Sequence, residues 1–151
     1  MKLAEALVRR ADLQRRLVQL KSRAVDSARI QEGDQTEEEP TELLAEFDRV
    51  SSDLEKLIER INVQNLKTEV STGLTITAAL AHRDSLNQRH SMRIDLADAA
   101  ARRADRSTRS EIKYVATISV RDLRQQIDEI AVEIRELDNR IQQTNWTTEL
   151  E

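Results

Sequence analysis

The chain contains no cysteine, one proline, two glycines and three aromatic residues, one each of Phe, Tyr and Trp, among its 151 positions. Without cysteine there is neither a disulfide framework nor a thiolate to act as nucleophile or metal ligand. Neither glycine belongs to a nucleotide-binding fingerprint or a phosphate-cradling loop. No apolar run approaches the ~18 residues that suggest a membrane-spanning helix. The opening MKLAEALVRRADL also lacks the apolar core of a secretory leader, so the sequence reads as that of a cytoplasmic protein. What is present in quantity is charge, 34 % of residues with a net of -4, together with Ala, Leu, Arg, Glu and Gln. That inventory belongs to long helices or coiled coil rather than to a mixed fold. The negative balance gives no general nucleic-acid footprint.

Periodicity places four helices. Leu43, Phe47, Val50, Leu54, Leu57 and Ile61 recur at alternating intervals of four and three, the seam of a heptad. Leu123, Ile127, Ile130, Ile134, Leu137 and Ile141 repeat that seam eighty positions later. ERINVQNLKTEV, from Glu59, is answered by NRIQQTNWTTEL, from Asn139, at the same offset. Ala6, Leu7, Arg10, Leu13 and Arg16 align with Ala79, Leu80, Arg83, Leu86 and Arg89, and Leu3 with Ile76, at an offset of seventy-three. The chain is therefore an internal duplication, halves 1–70 and 74–151, each helix, connector, helix, within a single helical domain 1–151. Pro40 suits a first helical turn, and Ser119 with Asp122 resembles a capping box. The expected fold is mainly α, an antiparallel four-helix bundle or pair of coiled-coil hairpins with short β segments in the connectors. The bundle is completed either within one chain or between chains of an oligomer. LKTEVSTGLTIT, from Leu66, reads as a short hairpin followed by a helix capped by Thr77. ARIQ, from Ala28, and KYVATI, from Lys113, are expected to pair as strands. Trp146 is expected to cap the end of the bundle, as Leu66 does in the other half.

The sequence gives no support to catalysis. A di-iron bundle needs Glu-x-x-His pairs, yet His82 and His90 follow Ala79 and Asn87 at that spacing. No metal or cofactor is expected. Two polar constellations remain. Arg10 and Arg83 stand at seam-like positions, and Asn65 and Glu69, like Asn145 and Glu149, follow the seams of the second and fourth helices. A half-buried guanidinium needs a carboxylate, so these residues are expected to form two equivalent polar knots, with a pseudo-symmetric anion pocket as the alternative. The second constellation is an asymmetry between the equivalent connectors. Ile30 to Asp48 carries eight carboxylates, Glu37, Glu38 and Glu39 among them, and no base. Arg102, Arg103, Arg106, Arg109 and Lys113 stand against only Asp105 and Glu111 in the other connector. Such charges pair within the chain, remain solvated, or dock copies of the chain in a homo-oligomer. Nucleic-acid binding through Arg102 to Arg109 is a weaker alternative, because no aromatic platform except Tyr114 lies beside it.

MKLAEAL, QEG, RSEIKYVATISV and IQQTNWTTEL together resemble a group of small uncharacterised bacterial helical proteins, some labelled septicolysin. The resemblance spans essentially the whole chain and implies a helical fold. The label itself would imply a pore-forming cytolysin, for which the residues offer neither a membrane-length hairpin nor a strongly apolar helix. The reading is of a non-enzymatic structural or interaction protein that assembles with itself, with membrane permeabilisation as the alternative.

Overall fold

The computed structural model describes residues 1–102 and 113–151. The fold is mainly α. Helices α1 (Leu3–Asp26), α2 (Pro40–Lys67), α3 (Ile76–Ala101) and α4 (Val120–Thr147) are accompanied by a two-stranded antiparallel sheet, β1 (Glu69–Ser71) and β2 (Leu74–Thr75). Contacts divide the chain into two compact units, Met1–Thr75 with Gln142–Glu151, and Ile76–Ile141.

In the first unit α1 and α2 form an antiparallel hairpin. Leu20, Leu43 and Val50 are buried, with Leu13, Leu17, Ala24 and Phe47 packed against them. The flank of this seam carries ion pairs: Arg16 Nε donates to Glu46 Oε1 at 3.1 Å and Arg23 Nε to Glu38 Oε2 at 3.0 Å. Pro40 occupies the first turn of α2, where its missing N–H costs nothing. In the second unit, α3 and α4 also run antiparallel, joined by Arg83 to Asp138 (3.4 Å) and Arg93 to Gln126 (2.9 Å). Ser119 Oγ accepts the Asp122 amide at 3.2 Å at the head of α4.

The repeated pattern in the sequence is matched by a repeated pattern of burial. Leu43, Val50, Leu57 and Ile61 are buried in α2 while Phe47 and Leu54 are half-buried. Leu123, Ile130, Leu137 and Ile141 are buried in α4 while Ile127 and Ile134 are half-buried, position for position the same. Leu3 and Ile76, and Ala6 and Ala79, are likewise buried pairs.

Both members of a second repeated feature lie in the first unit. After α2, Glu69 pairs with Thr75 across a turn in which Gly73 takes φ 76°, and β2 runs straight into α3. After α4, Glu149 pairs with Lys2 in an antiparallel bridge, and Lys2 runs straight into α1. The offsets are again eighty and seventy-three. The second pairing has no turn, because it joins the two chain ends: the Leu3 amide donates to the Thr148 carbonyl and the Leu150 amide to the Met1 carbonyl, both at 2.9 Å. The Leu3 bond satisfies a first-turn amide that α1 itself cannot.

Three expectations are corrected. ARIQ and the Lys113–Ile118 stretch form no strand, and the sheet among the described residues is β1 with β2 alone. Helix α3 begins at Ile76, so Thr77 lies inside its first turn rather than capping it. Trp146 is 58 % exposed and Leu66 62 %, so neither closes off a core. The buried residue of the tail is Leu150.

Candidate functional site

The first locus is the polar end built by the chain termini, α2 and the close of α4. Glu149 is exposed, and its carboxylate takes the Met1 ammonium at 3.1 Å and Lys2 Nζ at 2.8 Å. The hydrogen bond from Lys2, with a second from the terminal ammonium, holds this carboxyl below its ordinary range. Glu151 is gripped by the last turns of α2: Arg60 Nε donates to its carbonyl at 3.0 Å, Gln64 Oε1 accepts its amide at 3.3 Å, and Lys67 pairs with its carboxylate at 3.3 Å. Gln64 is buried and also donates to Thr68 Oγ1 at 2.9 Å. Asn145 is 5 % exposed, and its Oδ1 has no hydrogen-bond partner among the described residues.

The polar knots differ from the expectation in their partners. Glu69 accepts the Gly73 amide at 3.2 Å and so serves the turn rather than an arginine. Arg83 is matched by Asp138 and by Asp84 at 3.5 Å. Arg10 is half-buried and makes no ion pair among the described residues. The repeat explains the inequality: eighty positions before Asp138 stands Ile58, so the first half lacks the matching acid. Asn65 is half-buried and takes no part in the grip on Glu151. The structure thus gathers Asn65, Glu69, Asn145 and Glu149 into one compact unit with Arg10, while Arg83 belongs to the other. Gln64, Lys2 and Asp138 were missed. Asp138 was detectable as an acid that stands where the first half has the apolar Ile58.

The second locus is a groove of about 600 Å³ on the α1–α2 hairpin with an acidic excess, lined by Leu43 and Ala45, by Glu37, Glu38, Glu39, Glu42 and Glu46, and by Arg23 and Arg49. Arg23 neutralises Glu38 and, through their hydrogen bond, holds that carboxyl low while its own guanidinium is raised. Glu37, Glu39 and Glu42 have no ion-pair partner among the described residues. Val25 (65 % exposed), Ile30 (54 %) and Leu44 (58 %) lie on this connector and the helix turns beside it.

The third locus lies in the second unit, where the stretch Tyr114 to Ile118 runs beside the end of α3. With Leu96, Ala99, Ala100 and Arg102 it encloses a groove of about 440 Å³. Tyr114 is 78 % and Val115 74 % exposed. Arg102 and Lys113 are exposed at the two borders of the basic connector. Arg103, Arg106 and Arg109 lie outside the described residues.

No described helix is long and apolar enough to cross a membrane, and no group of three or more described His, Asp or Glu side chains is placed to hold a metal ion. The model of a family of unknown function, DUF6847, matches residues 10–150. The chain belongs to that family. A crystal structure of a functionally unknown conserved protein from Corynebacterium diphtheriae is similar over 100 % of this chain and 99 % of its own, at 46 % identity and a TM-score of 0.93. No curated protein matches. The family and the solved relative support the bacterial helical resemblance, and neither carries the septicolysin label.

Proposed function

We propose that this member of the family is a non-catalytic structural or interaction protein that assembles with copies of itself in the cytoplasm. One observation carries the reading. The two repeat-equivalent connectors both expose large apolar side chains, and they are bordered by charge of opposite sign. Val25, Ile30 and Leu44 accompany unpaired carboxylates, and Tyr114, Val115 and Ile118 accompany Arg102 and Lys113. An apolar centre with a charged rim is the anatomy of a protein interface. Complementary rims choose partner and register, while apolar contact supplies affinity. The test is light scattering coupled to size exclusion at low and at high salt. A particle larger than one chain that loosens with salt supports assembly through charge, and a salt-indifferent monomer refutes it. Dye release from liposomes and a gel shift at low salt address the membrane and nucleic-acid alternatives, and the proposal expects neither release nor retardation.

A further inference from the structure

We infer that the stretch Lys113 to Ile118 of one copy seats on the acidic groove of a second copy. This rests on the self-assembly reading and narrows it to two surfaces.

The first argument is the unmatched charge. Eight carboxylates stand between Ile30 and Asp48 with no base among them. Within the hairpin only Arg16 and Arg23 reach across to that stretch, and they are taken by Glu46 and Glu38. Glu37, Glu39 and Glu42 line the groove with no ion pair among the described residues, and of the two arginines that also line it Arg23 is taken by Glu38, which leaves Arg49 against three carboxylates. The excess of opposite sign is supplied by the same sequence, where residues 102–113 carry five bases against two acids. A second copy is thus a partner of the required chemistry.

The second argument is the condition of the seating segment. Every residue from Lys113 to Ile118 is exposed, and among the described residues no backbone hydrogen bond holds the stretch. It carries Tyr114, Val115 and Ile118, the β-branched and aromatic types that gain most from being covered. Leu43 is buried in the hairpin, so the covering surface comes from exposed Ala45 in the groove and from exposed Leu44 beside it. Lys113 precedes the apolar residues directly, so seating them brings a cation to the groove's acidic wall.

The third argument sets the strength. Six residues seat on a groove lined by nine, well under the ~20–30 a side that a standard stable interface uses. One such contact is therefore weak, concentration-dependent and salt-sensitive, since screening lengths fall from ~10 Å at 0.1 M to ~3 Å at 1 M salt.

The absence of native cysteine gives a clean test. One full-length chain carries Glu42→Cys and another carries Val115→Cys. The two are mixed at low salt and oxidised, and disulfide-linked dimers are counted by non-reducing electrophoresis and mass spectrometry. Asp53→Cys, an exposed position further along α2, replaces Glu42→Cys as control. The expected result is a mixed dimer formed several-fold more than the control pair, with the excess lost at high salt. A mixed yield equal to the control while light scattering still shows an oligomer overturns the seating and leaves self-assembly standing. A monomer at every concentration and salt removes both.

Discussion

Asn145 offers the sharpest test of how the repeat is stabilised. Its side chain is 5 % exposed in the last turn of α4, and its Oδ1 accepts no hydrogen bond among the described residues. Leaving a buried acceptor unmet costs about 1–3 kcal/mol. Asn145→Leu removes that cost and adds apolar surface beside the tail, so the variant is expected to be more stable by about 2 kcal/mol. For a chain of this length each kcal/mol moves the midpoint by about 2–4 °C, which places the expected rise in Tm at about 4–8 °C. The control is Asn65→Leu at the equivalent half-buried position, where water reaches the amide and the change is expected within about 0.5 kcal/mol. Thermal unfolding followed by circular dichroism measures both. A lower Tm for Asn145→Leu would refute the reasoning, because it would show that the amide earns its place through a hydrogen-bonding partner such as a bound water.

The remaining predictions concern the seams, the turn and the termini. Ile61→Ala and Ile141→Ala remove repeat-equivalent side chains that are 1 % and 3 % exposed, and each is expected to cost about 2–5 kcal/mol in urea unfolding. If either is tolerated without loss, the equivalence of the two seams fails. Gly73→Ala meets no atom within 4 Å but must hold φ +76°, so a loss of about 1–2 kcal/mol is expected from backbone strain alone. Glu149→Gln weakens the pairing of the chain ends. Because the folded carboxyl is held below its unfolded range, its contribution is present at neutral pH and is lost as pH falls through the folded value. Hydrogen exchange at the Leu3 and Leu150 amides should therefore be faster in the variant near pH 7 and converge with the parent chain in acid.

The heptad seams were legible because helix packing repeats in sequence at the spacing at which it repeats in space. Leu43 to Ile61 and Leu123 to Ile141 needed only their intervals to be placed, and Pro40 and Ser119 marked the starts. The Ser-Thr-Gly turn was legible for a similar local reason, since Gly73 supplies a conformation that other residues resist. KYVATI misled because β-branched residues favour a strand only when an edge is present to receive it, and composition does not report an edge. Trp146 misled because its size suggests burial, whereas the preceding Asn145 takes the inward position. Arg83 is half-buried, and its acid comes from the side of α4 rather than from beyond its end. Charge excess at the connectors was fully written in the sequence. The unpaired state of Glu37, Glu39 and Glu42 was not, since it depends on which arginines the hairpin brings alongside.

The pairing of Lys2 with Glu149 holds the entry to α1 against the exit from α4, as the β1–β2 pair holds the exit from α2 against the entry to α3. The β1–β2 pair turns back through Thr72 and Gly73, whereas Lys2 and Glu149 pair with no turn between them. A designed chain in which a short Ser-Thr-Gly linker joins Glu151 to Met1, with new ends opened between Thr72 and Gly73, keeps the partners of both pairings. Circular permutation is tolerated at exposed turns of this kind. A permuted chain that unfolds at the parent temperature would mean that the order α1 before α4 is not an instruction the fold requires.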